Sequence, residues 1–566
     1  MRHVRLATLM ATVVLAGALF AAPASAEPYP GSEWSEHYFP SEDGITQLHA
    51  DVLRPKGLSN KDKTPVILTV SPYTNHSGQT SDYDAGAEGP SERFYDFLEL
   101  SRIIEKGYTY VIVDLPGFGG SGGCNDWGGI REQEAAKAAV EWAASQPWST
   151  GRVGMMGKSY DGWTGLMAMA QKPKGLAAVV SMEPVYSGYR YLYNNGVRYA
   201  NSLITPAGFQ AYDAKPGSAN DDPFYNANGA PQAWCYGVNY GMQQQDDENS
   251  AFWQERDLLR FTKRSKVPLF LTQGFLETNT KPDAAFDFYN QLEGKHNRAW
   301  YGQFDHYRGW EKSGKHYQMG RDTFVKEMMR FFDRHVKGVS KKKAPTHRDP
   351  TIEVQDNLGR YRAERQWPPM DSLDYRNKIR GGTYRDDGSN SSTSASGLWT
   401  FSQPVKHTVW MAGEPIFRGM INGIPRANLA VNIYDVAPSG EATVVSRGTT
   451  LLPAGLPPHE LKLELYGQDW VFEKGHRIGI RVSEANSDWW VHIPTAADVT
   501  VDSAEIALPF LHQKRTKFLK SGKTPTLDSW KSSETVSLDK SLIRSSDKKF
   551  DLPGKLRKPR NHSPHN

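Results

Sequence analysis

Through the first 340 residues, short apolar runs alternate with stretches of helical spacing. Val66-Ile67-Leu68-Thr69-Val70 and Tyr110-Val111-Ile112-Val113-Asp114 read as buried strands. Residues 132–145 have helical spacing, with Ala139, Val140, Trp142 and Ala143 on one face. Further strand runs lie at 153–156, 177–182 and 267–272, and 321–337 is an amphipathic helix. This alternation predicts an α/β, doubly wound parallel sheet over 27–340. Residues 183–266 separate two of these strands and are too long for a normal crossover. They are rich in Tyr, Trp, Asn, Gly and Gln, which predicts an inserted cap over the functional edge of the sheet. Lys341-Lys342-Lys343-Ala344-Pro345 reads as a linker. Beyond 350 the pattern changes to short alternating stretches, such as 429–434 and 477–482, split by Gly and Pro turns. An all-β sandwich or jelly roll over 350–511 is expected.

A chain of 566 residues exceeds one ordinary core, so about two or three domains are expected. Residues 1–26 stand apart from the fold. Arg2 and Arg5 precede an apolar run at 6–22, and Ala24-Ser25-Ala26 is a small-x-small cleavage pattern. This reads as a secretory signal peptide and implies a secreted, extracellular protein. Cys124 and Cys235 are the only cysteines, and in an exported chain they can form one disulfide. No H-E-x-x-H or paired C-x-x-C spacing is present, so no metal and no cofactor are expected. Residues 512–566 carry 14 basic against 5 acidic side chains and read as a solvated basic tail, a candidate for contact with an anionic cell surface. Nucleic acid is not an expected partner of an exported chain.

The chemistry centres on Gly157-Lys158-Ser159-Tyr160-Asp161-Gly162, which lies between a strand run and a helix-like run. Strand, glycine turn, serine and helix is the layout of a nucleophile elbow. A serine hydroxyl needs an adjacent base, and the chain order expected here is Ser, acid, His. Glu277 follows the 267–272 strand, with Asp283 as the reserve acid. His306 follows the strand candidate Arg298-Ala299-Trp300-Tyr301. His306 would take the Ser159 proton while Glu277 fixes its tautomer.

These blocks resemble the Xaa-Pro dipeptidyl-peptidase and cocaine-esterase group of α/β-hydrolases. The resemblance is carried by Ser71-Pro72-Tyr73, by Gly117-Phe118-Gly119-Gly120-Ser121-Gly122-Gly123, by Gln146-Pro147-Trp148-Ser149-Thr150-Gly151-Arg152-Val153-Gly154, by Gly157-Lys158-Ser159-Tyr160 and by Trp367-Pro368-Pro369. It implies Ser159 as nucleophile, His306 as base and Glu277 as acid, with the Tyr73 hydroxyl and the Tyr160 N–H as oxyanion donors. It also implies an α/β-hydrolase domain with a helical cap and a C-terminal jelly roll. The chain departs from the family at Glu277, where Asp is usual, at Pro116 in place of an arginine, and at Phe275 in place of a tryptophan.

The substrate is expected to be a peptide or a small acyl compound. A dipeptidyl-peptidase has to read a free ammonium, and Glu183, Asp221 and Asp222 are the carboxylates proposed for it. The tyrosines Tyr186, Tyr189, Tyr191 and Tyr193 are cap core or pocket lining. The preferred expectation is release of N-terminal Xaa-Pro dipeptides. The alternatives are an ester or amide hydrolase of cocaine-esterase type, and a non-catalytic surface or polysaccharide-binding protein.

Overall fold

The computed structural model describes residues 29–75, 78–79, 90–213, 235, 237–522 and 524–558. The leader and Asp221 and Asp222 lie outside these residues. Ten strands form the central sheet: β1 (Ser32–Pro40), β2 (Gln47–Pro55), β3 (Thr64–Ser71), β4 (Thr109–Asp114), β5 (Ser149–Lys158), β6 (Leu176–Met182), β7 (Leu269–Gly274), β8 (Arg298–Gly302), β9 (Ile352–Gln355) and β10 (Tyr361–Glu364). Their order is β1-β2-β4-β3-β5-β6-β7-β8-β9-β10. The run from β4 to β9 is parallel, and antiparallel pairs close both ends.

The apolar runs bury both faces of this sheet, as a parallel sheet requires. In β3, Val66, Leu68 and Val70 enter one core, while Ile67 enters the other. Helices α1 (Ile130–Ser145) and α2 (Tyr160–Gln171) pack on the first face through Ala135, Ala139, Leu166 and Met167. Helix α3 (Phe324–His335) covers the second through Phe331 and Phe332. The strands predicted by pattern all form, with ends shifted by a few residues.

Two boundaries need correction. The catalytic sheet does not stop at 340, because β9 and β10 extend it to Glu364. Residues 512–558 are not a solvated tail. Leu527, Trp530, Val536, Ile543 and Phe550 are buried in the β domain. Thr535–Ser537 pairs with the strand Glu441–Leu451, and Asp547–Lys548 pairs with Leu398–Ser402. Its basic groups include Arg515, which is held by Glu364 and Asp371 at 2.8 and 2.6 Å. Widely spaced apolar residues among lysines and serines look solvated in sequence, yet each fills a gap in a preformed sheet surface.

The β domain is a sandwich of a seven-stranded and a six-stranded sheet around one apolar core. The cap lies between it and the central sheet. Val197–Tyr199 of the cap pairs on one side with Tyr193–Asn194 and on the other with Trp490–Val491 of the sandwich, in the register Arg198↔Val491 and Tyr199↔Trp490. The cap sheet is thus completed by the second domain. Among the described residues no helix is long and apolar enough to cross a membrane.

Candidate active site

The chain leaves β5 and reverses at Ser159, which adopts φ 65° and ψ −125°. This left-handed value is unusual for a residue with a side chain. Two contacts fix it: the Ser159 N–H donates to Met182 O at 2.9 Å, and its carbonyl accepts from Trp163 N to start α2. Gly157 is required here, since a Cβ would lie 2.3 Å from the Asp161 backbone. The serine therefore stands at the N-terminal end of a helix, at the C-terminal edge of the sheet.

Tyr73 follows β3 and donates its phenol O–H to Ser159 Oγ at 3.2 Å. The same phenol oxygen accepts from the backbone N–H of Tyr160. Both expected oxyanion donors thus lie side by side next to Ser159, linked in one hydrogen-bond chain. Burial, reinforced by Asp161 and opposed by Arg93, pushes Tyr73 up to about 12, so the phenol keeps its proton at neutral pH. The Arg93 guanidinium lies 3.9 Å over the Tyr73 ring and donates to Asp161 Oδ2 at 3.2 and 2.9 Å. Sequence reasoning missed Arg93, which sits in a short helical turn with no motif around it. Behind the elbow, the Tyr160 hydroxyl donates to buried Glu132 at 2.7 Å.

Glu277 and His306 stand on the loops after β7 and β8. His306 Nδ1 is 3.0 Å from Glu277 Oε2. Glu277 is fully buried, and its other oxygen accepts the N–H groups of Asn279 and Thr280 at 2.7 and 3.0 Å. Burial pushes this carboxyl up, but His306 and these donors outweigh it and hold it below its usual range. Asp283 is elsewhere: Asn194 Nδ2 donates to it at 3.4 Å, and burial, only partly offset by Arg190, raises it to about 7. Of the two acid candidates, the structure brings Glu277 to the histidine. Ser159 Oγ accepts a hydrogen bond from Tyr73, and among the described contacts it does not yet donate to His306. Such contacts often tighten only when substrate binds.

Glu183 is not available to a substrate amine. It is fully buried, with both carboxyl oxygens occupied by Thr272 Oγ1 and Gly274 N, each at 2.9 Å. That expectation is corrected: the residue turns inward below the strand ends. Cys124 and Cys235 are joined as a disulfide, with Cα atoms 6.1 Å apart. It ties the loop before α1 to the cap, where Asn239 Nδ2 also donates to Asn125 O at 2.8 Å. The cap tyrosines divide. Tyr189 and Tyr193 stack at 5.3 Å against Trp253 as cap core. Tyr191 instead joins Trp127, Tyr160 and Phe209 in an aromatic wall that reaches Tyr73. Among the described residues no group of His, Cys, Asp or Glu could hold a metal ion.

Comparison with known families fits this geometry. Residues 43–308, which hold Ser159, Glu277 and His306, match the X-Pro dipeptidyl-peptidase (S15 family) profile. Residues 239–527 match the X-Pro dipeptidyl-peptidase C-terminal non-catalytic domain. The chain belongs to the X-Pro dipeptidyl-peptidase family. A relative from Streptomyces avermitilis, described as a putative Xaa-Pro dipeptidyl-peptidase, is 25% identical over 438 residues, covering 72% of this chain and 60% of its own length. In fold, the chain is similar to an aminopeptidase from a marine sediment archaeon of the Thaumarchaeota, with TM-score 0.66, 17% identity, and 88% and 99% of the two chains covered. It is also similar to an α-amino acid ester hydrolase, with TM-score 0.64, 18% identity, and 89% and 100% covered. The fold is that of an α/β-hydrolase with a β-rich C-terminal domain. Membership of the family makes the protein an enzyme, a hydrolase of dipeptidyl-peptidase or esterase type, and the non-catalytic alternative is not retained.

Proposed function

We propose that the protein is a secreted serine hydrolase that works through an acyl-enzyme and releases N-terminal Xaa-Pro dipeptides. The observation that carries this reading is the Tyr73 hydroxyl on Ser159 Oγ, itself held by the Tyr160 N–H, together with a His306–Glu277 pair. His306 takes the Ser159 proton as Oγ attacks the substrate carbonyl. The negative charge on the carbonyl oxygen is met by the Tyr73 O–H and the Tyr160 N–H. His306 then protonates the leaving amine, and water repeats the sequence on the acyl-enzyme. Glu277 keeps Nδ1 protonated and stabilises the imidazolium. The wall of Trp127, Tyr191 and Phe209 beside Tyr73 suits a compact apolar ring such as proline, which stacks on aromatics with little ordering cost. Export is supported by the leader pattern and by the disulfide.

A second reading, ester or amide hydrolysis without an ammonium requirement, is favoured by one observation. Four described carboxylates around the site, Asp161, Glu183, Glu277 and Asp305, already serve Arg93, Thr272 and Gly274, His306, and Thr278. Of the carboxylates expected to read an amine, only Asp221 and Asp222 are left, and they lie outside the described residues. Hydrolysis of a Gly-Pro anilide, compared with its N-acetylated form, separates the two. Cleavage of the free amine alone supports the dipeptidyl-peptidase. Equal cleavage of both, or of an aryl ester only, sinks it in favour of the esterase.

A further inference from the structure

Glu183 has no part in the triad, yet it is bound into the end of β7 and the loop that carries the acid. It follows β6 directly and takes φ 44°, a conformation that side-chain-bearing residues avoid. Its N–H donates to Thr272 O at 3.1 Å at the end of β7. Its carbonyl accepts from the Thr280 hydroxyl at 2.8 Å, and that hydroxyl is 3.4 Å from His306 Nδ1. Its carboxyl accepts from Thr272 Oγ1 and Gly274 N and shares a hydrogen bond with Glu277.

Both carboxyl groups are fully buried. Two carboxylates in contact away from water cannot both be ionised, so one proton is held between them. The surroundings decide where. Glu277 faces His306 and two backbone N–H groups, and its anionic form is the one those donors stabilise. We infer that Glu183 is a positioning residue that carries the proton of this pair and donates its O–H to the Glu277 carboxylate, aiming Glu277 at His306 Nδ1. A strained backbone at the end of β6 is what brings the carboxyl under the acid loop. Burial, then the charge of Glu277, holds the Glu183 carboxyl well above the ordinary range. The other titratable groups whose fields reach the pair are His306, Asp305 and Tyr307 after β8, Lys281 after β7, Lys158 at the elbow, Tyr186 after β6, Tyr191 in the cap and Tyr361 on β10.

This inference rests on the triad reading, and the test separates the two. Ser159 of the wild-type protein is labelled with a fluorophosphonate, and kcat and KM are measured against pH for wild type, Glu183→Leu and Glu183→Gln. Loss of the donor in Glu183→Leu is expected to lower kcat about 10- to 100-fold with little change in KM. The acidic limb moves to higher pH, because Glu277 loses a group that favours its anion. Glu183→Gln, which still donates to Glu277 and still accepts from Gly274, is expected to recover most of that loss and to restore the limb. Glutamine as damaging as leucine would mean that an anion is needed at 183 and would overturn the inference, even where leucine fails to fold. Leucine with wild-type kinetics would overturn it equally. Failure of wild-type Ser159 to be labelled would defeat the triad reading and this inference with it.

Discussion

The Tyr73 hydroxyl sits 3.2 Å from Ser159 Oγ and accepts from the Tyr160 N–H, which sets both donors of the proposed oxyanion site beside the serine. Tyr73→Phe removes a donor whose value appears in the transition state. It is expected to lower kcat about 100-fold with KM nearly unchanged. Stopped-flow measurement of acylation on an anilide substrate checks this, and an unchanged acylation rate would remove Tyr73 from the oxyanion site.

Glu277 and Asp283 are six residues apart in sequence but serve different partners. Glu277→Gln should leave His306 without its counter-charge and reduce kcat about 10⁴-fold, the scale seen when a triad acid becomes an amide. Asp283→Asn should act on the side-chain contact to Asn194 and on the charge interaction with Arg190, and leave the chemical step intact. Similar losses in the two variants would refute the assignment of Glu277.

His49 is buried with its Nδ1 2.9 Å from Asp114, and with Glu36 and Asp51 at 3.5 and 3.9 Å from Nε2. Asp114 also holds Thr74, the neighbour of Tyr73. Burial lowers the His49 pKa, but these acids outweigh it and raise it well above the ordinary value. A raised histidine contributes stability that is fully present below its unfolded value of about 6.5 and is lost as pH rises through the folded value. The melting temperature should therefore fall on the alkaline side, and His49→Gln should flatten that slope. Parallel slopes in the two proteins would show that His49 is not the group responsible.

The disulfide spans 111 residues between the loop before α1 and the cap. Cys124→Ser with Cys235→Ser is expected to cost about 2–4 kcal/mol. Because the cross-link fixes the cap near Trp127, KM should rise more than kcat falls. Calorimetry and steady-state kinetics on the double variant measure both, and unchanged values would make the bond incidental.

Truncation after Leu511 removes Trp530, Val536 and Ile543 from the sandwich core and bares the strand Glu441–Leu451. Exposed edges and apolar patches drive association. The shortened chain should be aggregated in size-exclusion chromatography, whereas a solvated tail would be dispensable.

The central sheet was legible because a parallel sheet buried on both faces demands continuous apolar runs, and 66–70 and 110–114 are such runs. The elbow was legible because its glycines answer steric needs set within a few residues. Glu183 was misread because position after a strand does not say which way a left-handed turn sends the side chain. Arg93 was missed because a cation over a ring is a long-range meeting of a helical turn and a strand end. The C-terminal segment was misread because charge dominates its composition, while its fold depends on six scattered apolar side chains.

The ladder between Val197–Tyr199 and Trp490–Val491 makes the cap a shared possession of two domains. Evolution cannot reshape the roof over Ser159 by altering the insertion alone. A cap grafted from a relative has to bring its own counterpart of Trp490 and Val491, or the graft arrives with an open strand edge. The cap sheet is therefore inherited as a matched pair of segments nearly 300 residues apart in the chain.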